Sequence, residues 1–390
     1  VSDELIEKKG PYVEFVDAPK FHDQTARDFL EQLGYDDAIS NTIITELFGG
    51  DASGSLYQHQ AEMIEQIETT SRDNILAVPT AAGKTEAFFL PILNYCLSTD
   101  EEGLKSIILY PMKTLGVDQL NRFITYLHQI NRPLDPDDRI TIGIWDSDTP
   151  QRVGTRSYEV EEGSYIRGLV DPQDDSEKLR VLSNTSVGTD DNQYSWIRVT
   201  RDAIRQGVDI LLTVPEALDY MFVSDNDETR GLLGDQPGSQ PLKHIVYDEA
   251  HVWSGIKGAA VSLLSQRLKS FYADNDPQVT MVSATVDNPR TLAASLAGSG
   301  AKKEDINAVE FTPRGFDVSG EVAFNRFTPC NLGDLVTALA IAVLDVKDAD
   351  NLVDELDVGN GVATLREVGL LENDRIEVSA GPPEFAIKPI

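Results

Sequence analysis

The sequence predicts an α/β fold in which a parallel sheet is covered by helices on both faces. Short runs rich in Ile, Val and Leu recur between residues 74 and 284, and most are followed by a stretch of helical length. Strands that are apolar throughout are buried on both faces, and alternation with helices is how parallel strands are connected. The expected strands are NILAV (74–78), KSIILY (105–110), RITIGI (139–144), DILLT (209–213), KHIVYD (243–248) and QVTMVSA (278–284). Residues 85–97, 114–130 and 259–272 supply the clearest helices between them.

Ahead of this region, residues 23–33 and 36–48 read as two helices, so 1–54 forms an N-terminal helical extension and 55–300 the main domain. Residues 150–196, rich in Gly, Ser, Asp and Glu, break the rhythm and read as a surface insertion of short strands and loops within about 150–200. Beyond 300 the chain reads as a linker, extended over 311–329, and a small, mainly helical C-terminal extension over 332–371. The first residue is Val1 rather than Met, which points to a longer or processed chain.

Composition narrows the class. A chain of 390 residues with 41% hydrophobic and 25% charged residues is an ordinary globular protein. Cys96 and Cys330 make neither a disulfide framework nor a CxxC zinc site, which suits a reducing, cytoplasmic setting. No apolar run reaches the ~20 residues of a spanning helix, so no membrane role is expected. Sixty-five acidic residues against 33 Lys and Arg give a net charge of −32. Such an excess argues against phosphate-backbone partners. Acidity spread over the whole length, with an intact apolar core, is also the halophilic pattern, because molar salt shortens the Debye length to ~3 Å and screens self-repulsion.

Two motifs carry chemistry. NILAV runs directly into PTAAGKT (79–85) and a helix, which is the Walker A spacing with Val78 at the usual first glycine. A loop at a helix N-terminus points backbone N–H groups at an anion. Pro79, Thr80, Ala81, Ala82 and Gly83 would line the phosphates, Lys84 neutralise them, and the Thr85 hydroxyl ligate Mg²⁺. Downstream, KHIVYDEAH ends a strand in Asp248, Glu249, Ala250 and His251. Asp248 would hold the magnesium shell and Glu249 orient and deprotonate an attacking water. Both motifs are expected at the ends of neighbouring strands.

Residues 57–285 resemble the first RecA-like domain of superfamily 2 helicases of the DEAD/DEAH-box class, and most of all the large Lhr- and YprA-type proteins of archaea and bacteria. The motifs follow the family's order. YQHQ (57–60) resembles the adenine-reading Q motif, which implies Gln60 as amide reader and Tyr57 as stacking ring. YPMKTLGVDQ (110–119) resembles motif Ia, which implies nucleic-acid contacts at Pro111, Lys113, Thr114 and Gln119. LLTVPEALDY (211–220) resembles motif Ib and implies Thr213, Pro215 and Glu216, although Val214 stands where the family usually has Thr. DEAH is motif II, in which His251 links to a second motor domain, and Ser283, Ala284 and Thr285 form motif III, which couples hydrolysis to strand movement. IWDSDTP (144–150) is similar to the YprA group's YTGDTP-like run, with Ser147 in place of its glycine.

The resemblance implies the ATP-binding front half of an ATP- and Mg²⁺-dependent helicase or translocase, an ATP hydrolase acting on nucleic acid. DNA is favoured over RNA, in DNA repair or antiphage defence. A second RecA-like domain, which supplies arginines to the γ-phosphate, is not expected within these 390 residues, so a missing stretch or a partner subunit would provide it. The alternative is a nucleotide-gated nucleic-acid-binding subunit with little ATPase of its own. Remaining candidates have plainer readings. His59 reads as a packed or exposed neighbour, Arg122 as part of a solvated helix face, QRVGTR (151–156) as a solvated loop, residues 135–138 as solvated surface, and at least two of Trp145, Trp196 and Trp253 as core.

If the acidic surface is a salt adaptation, the melting temperature should rise between about 0.1 M and about 2 M KCl. An unchanged or lower value at the higher salt rejects the halophilic reading.

Overall fold

The structure, a computed structural model, describes residues 19–79, 82–224, 231–234, 240–298 and 300–311. The C-terminal stretches expected beyond 311, and Thr80 and Ala81 of the phosphate loop, lie outside the described residues.

Three helices come first: α1 (Ala26–Gln32), α2 (Asp37–Phe48) and α3 (Gln58–Thr69). Each of the first two opens on a side-chain cap, Thr25 accepting from Asp28 N and Asp36 from Ala38 N, which satisfies otherwise orphaned amides. The sheet region follows as β1 (Asp73–Ala77), α4 (Lys84–Ser98), β2 (Ser106–Leu109), α5 (Lys113–Asn131) and β3 (Ile142–Trp145). The insertion contributes β4 (Tyr165–Asp171), β5 (Asp174–Ser183), β6 (Ser186–Gly188) and β7 (Gln193–Tyr194). The chain returns through β8 (Ile197–Arg198), α6 (Arg201–Arg205), β9 (Ile210–Thr213), α7 (Pro215–Val223) and β10 (His244–Tyr247). It closes with α8 (Gly255–Phe271), β11 (Gln278–Ser283), α9 (Pro289–Leu296) and β12 (Ile306–Glu310).

Eight strands form one sheet in the order β12-β1-β11-β10-β2-β9-β3-β8, with every pairing parallel. Strand residues alternate between two cores. Ile108, Ile210, Leu212 and Val246 pack with α2, α4 and α5 on one face, whereas Ile107, Leu109, Leu211, Ile245 and Tyr247 pack with α8 and α9 on the other. Both alternating sets are apolar because both faces are covered.

Two expectations are corrected. β10 does not neighbour β1: β11 lies between them, as its registers to both strands show. Chain order cannot reveal this, because β11 is the later strand and slots into the gap. The sheet also extends past residue 300, since β12 pairs with β1 at the edge. Its INAVE sequence buries only Ile306 and Val309, too little apolar signal for a strand to stand out.

At the amino end of the sheet the Asp209 carboxylate ties three strands together. It accepts from Lys105 Nζ at 2.5 Å, and from Thr141 N at 2.8 Å and Thr141 Oγ1 at 2.7 Å. Trp145, Trp196 and Trp253 are all buried.

The insertion strands form a separate antiparallel sheet in the order β4-β5-β6-β7. The buried Asp171 carboxylate organises it, accepting from Tyr194 Oη at 2.7 Å and Asn192 Nδ2 at 3.0 Å. Asn121 of α5 anchors β4 by donating to Gly168 O and accepting from Val170 N. The two ends of the excursion meet: Arg201 N donates to Pro150 O at 2.9 Å and Asp202 N to Gln151 O at 3.0 Å.

His244 begins β10 buried, edge-on to the Tyr95 ring. Burial pushes its imidazole from 6.5 down to about 3, with Lys243 adding to the effect. The folded ring stays neutral while the unfolded chain takes up a proton, so the unfolded state binds more protons throughout that window. Stability present above pH 6.5 should therefore be lost as the pH falls toward 3. His244→Phe should flatten the loss between about pH 6.5 and 5, by up to ~1.4 kcal/mol per pH unit. Denaturant titrations of both chains at each pH measure the difference, and the comparison cancels the carboxylates.

Candidate nucleotide site and nucleic-acid face

The carboxyl edge of the parallel sheet gathers the motif residues. β1 leaves the sheet at Val78, whose N–H donates to Ser283 O at the tip of β11. The loop then reaches Gly83, at φ +68, before α4 begins at Lys84. A Cβ on Gly83 would stand 2.4 Å from Gln60 Nε2, so glycine serves both the left-handed backbone and the close approach.

Helix α3 braces this loop from below. Gln60 accepts from Tyr57 N through Oε1 at 2.8 Å and donates from Nε2 to Gly83 O at 2.7 Å. His59 is buried, with Nε2 2.7 Å from Ala82 O. A carbonyl only accepts, so that ring nitrogen carries the proton. Nδ1 is left without a partner among the described residues, and burial lowers the ring's pKa. Tyr57 lies over His59, ring centroids 5.5 Å apart. His59 is thus a packed residue, as expected, but one that supports the loop.

Lys84 Nζ lies 3.4 Å from Glu249 Oε1, so the phosphate loop and the DEAH turn meet across the tip of β11. Glu249 sits at φ 50, a left-handed conformation that costs a non-glycine residue about 1–3 kcal/mol and gathers at functional sites. Asp248 is buried, and its Oδ1 accepts from Glu249 N. Burial first, then the Glu249 charge, raises its carboxyl to about 6, against the pull of Lys84. Asp248 carries charge that burial penalises and a cation would relieve. Thr85 and Asp248 offer hard oxygen donors, which suit Mg²⁺ completed by phosphate oxygens and water. No cluster of three or more metal-ligating acids, His or Cys occurs among the described residues.

His251 Nδ1 lies 3.4 Å from Ser283 Oγ, from Ala284 N and from Glu249 Oε2, so motifs II and III touch. Thr285 follows just beyond the strand end and is exposed.

Across the same edge, Pro111 and Lys113 are half-buried, and Thr114 is exposed at the N-terminus of α5. Lys113 Nζ donates to Ser147 Oγ and, at 2.9 Å, to Asp148 Oδ1, which joins this turn to the one after β3. Pro215 and Glu216 open α7 at the surface. Thr213 is corrected: it is buried, and its hydroxyl donates to Trp145 O at 2.6 Å, so it has no surface to offer a phosphate. Gln119 faces the nucleotide loop rather than the motif Ia turn, because its Oε1 accepts from Thr85 Oγ1 at 3.3 Å.

Arg122 is also corrected. Its guanidinium reaches inward, Nη2 donating to the buried Glu86 carboxylate and Nη1 to Thr85 Oγ1 at 3.4 Å. Glu86 Oε1 accepts from Tyr126 Oη at 2.8 Å as well. Sequence reasoning missed Glu86 and Tyr126. The signal was the 119, 122, 126 spacing, one helical face, opposite a glutamate directly after GKT.

A strand-to-helix phosphate loop facing an acidic strand end on one parallel sheet defines a RecA-like P-loop domain. Within that class the chain belongs to the DEAD/DEAH box helicase family, whose profile matches residues 57–141 and 175–292. The unmatched interval holds β3 and the start of the insertion sheet. The chain is similar to the uncharacterized ATP-dependent helicase YprA of Bacillus subtilis, 24% identical over 259 residues, covering 65% of this chain and 26% of YprA. It is also similar to the uncharacterized ATP-dependent helicase MJ1574 of Methanocaldococcus jannaschii, 22% identical over 294 residues, covering 75% of this chain and 31% of that protein. This chain therefore spans about a quarter to a third of those relatives. Its fold is shared with the DUF1998 helicase MrfA crystallised with DNA and AMPPNP, at a TM-score of 0.50 and 19% identity, over 87% of this chain and 38% of MrfA. No described helix is long and apolar enough to cross a membrane.

Gly83→Ala should weaken nucleotide binding at least ~10-fold, since it adds ~1–2 kcal/mol of left-handed strain and displaces Gln60. Gly49→Ala is the control, because Gly49 is also left-handed (φ +59) but has open space at its Cβ position. Titration with a fluorescent ATP analogue should show a loss confined to the first variant.

Proposed function

We propose that the chain is the ATP-binding front half of an ATP-dependent nucleic-acid helicase or translocase. The observation that carries this reading is the meeting of Lys84 with Glu249 at one sheet edge, beside Thr85 and Asp248. Backbone N–H groups at the α4 N-terminus face the phosphates of ATP, and Lys84 pairs with their oxygens. Thr85 and Asp248 hold Mg²⁺, which when bound neutralises charge on the β- and γ-phosphates. Glu249 orients the attacking water and takes its proton; Lys84, now on Glu249, moves to the phosphate. Gln60 and Tyr57 border the adenine side. His251, Ser283, Ala284 and Thr285 link this centre to strand movement.

The α5 and α7 N-termini, with Pro111, Lys113, Thr114, Pro215 and Glu216, form the nucleic-acid face. DNA is favoured over RNA: a relative 36% identical over 92 residues is the ATP-dependent DNA helicase Hel308 of Thermoplasma acidophilum, and MrfA was crystallised on DNA. A role in DNA repair or antiphage defence, in the cytoplasm, fits such a motor. A second RecA-like domain, elsewhere in the protein or on a partner subunit, completes the centre with an arginine worth about 10³–10⁵ in rate.

Lys84→Ala should abolish ATP binding, whereas Glu249→Gln should retain it and remove turnover, because the lysine acts on the bound ground state and the glutamate on the water. Calorimetric titration and phosphate release, with and without single- and double-stranded DNA or RNA, test both. Equal ATP affinity for Lys84→Ala and the unaltered chain refutes the site. Stimulation by RNA alone refutes the DNA preference.

A further inference from the structure

Helix α5 does more than carry the motif Ia turn, because it also holds the hydroxyl of Thr85. A threonine hydroxyl has one proton and two lone pairs. Here the proton points to Gln119 Oε1 at 3.3 Å, and one lone pair receives Arg122 Nη1 at 3.4 Å. One lone pair remains. Two residues of α5 thereby fix the direction in which Thr85 can offer that pair to a cation.

The guanidinium is itself fixed. Its second arm, Nη2, is held by Glu86, the residue after Thr85, whose carboxylate is 1% exposed. Glu86 also accepts from Tyr126 Oη at 2.8 Å and, through Oε2, from Gln60 Nε2 at 3.4 Å. The same Gln60 nitrogen holds Gly83 O. The planar fork of an arginine spans a carboxylate and a hydroxyl at once, which the single ammonium of a lysine does not reproduce. A buried ion pair alone would require only the Glu86 arm. The second arm, on a hydroxyl next to Lys84, is what marks the residue out.

We propose that Arg122 is a positioning residue of the nucleotide site: bridging Glu86 and Thr85 from α5, it aims the free Thr85 lone pair at the magnesium position. This rests on the nucleotide-site reading above. Arg122 touches neither nucleotide nor metal and acts through Thr85.

The test is magnesium dependence of binding rather than turnover. A fluorescent non-hydrolysable ATP analogue is titrated in EDTA and then in rising MgCl₂. For Arg122→Lys, affinity in EDTA should stay within about twofold of the unaltered chain, while the magnesium midpoint rises about 10-fold, or ~1.4 kcal/mol. Gln119→Leu, which frees Thr85 without touching Glu86, should raise the midpoint too, and it serves where the lysine variant is unstable. Tyr126→Phe removes a bond to Glu86 but none to Thr85, so it should lower the melting temperature and leave the midpoint unchanged. An unshifted midpoint in both Arg122→Lys and Gln119→Leu overturns the proposal. So does an equal shift in Tyr126→Phe, which would assign the effect to the stability of Glu86. Failure of the nucleotide-site reading shows separately, as Lys84→Ala binding the analogue as the unaltered chain does.

Discussion

A sheet covered on both faces has no place for polar chemistry within its layers, and the rest of this molecule follows from that constraint. Alternate residues of β2, β9 and β10 enter two different cores, so the middles of these strands are apolar and their polar residues stand at the ends. Charged and hydroxyl groups are displaced to strand ends, where backbone amides at helix N-termini also point outward. The two ends are put to different uses. At the amino end, Asp209 clamps Lys105 and Thr141 and fixes register. At the carboxyl end, Lys84, Asp248 and Glu249 crowd together with charge that the fold itself does not fully neutralise.

The helices around that edge are tied to it by side chains of one kind, long and polar. Gln60 joins α3 to the loop, and Arg122, Gln119 and Tyr126 join α5 to α4 through Thr85 and Glu86. The loop therefore gets its shape from two neighbouring helices as much as from its own glycine. In a chain of net charge −32, an inward-turned arginine on a buried glutamate is also a contact that surface salt screens little.

Much of this was legible in the sequence. Period and apolar content gave strands β1, β2, β3, β9, β10 and β11 and helices α4, α5 and α8 within a few residues, but not α3, α7 or α9, and the GKT and DEAH runs marked the loops that meet. What was not legible depends on spatial order and on side-chain direction. Chain order hides that β11 slots between β1 and β10, and the two inward residues of β12 are too few to announce an edge strand. Thr213 reads as a nucleic-acid contact from the resemblance to motif Ib, yet the strand's last side chain turns inward to Trp145 O. Arg122 fits a polar helix face in sequence, and only packing of α5 against α4 turns it toward Glu86.

The closure of the insertion at its base bears on how such motors diversify. The excursion leaves after Pro150 and rejoins the main sheet at β8, and just beyond it two backbone hydrogen bonds from Arg201 and Asp202 join the departing and arriving chain. Its sheet is organised by its own buried Asp171, not by a residue of the motor's edge. Because the entropic cost of a closed loop grows only slowly with length, a lineage can lengthen, trim or exchange this module while β3 and β9 keep their pairing. A change of length is thus absorbed within the module's own sheet, whereas its seat on α5, held by Asn121 and a shared apolar core, has to be kept.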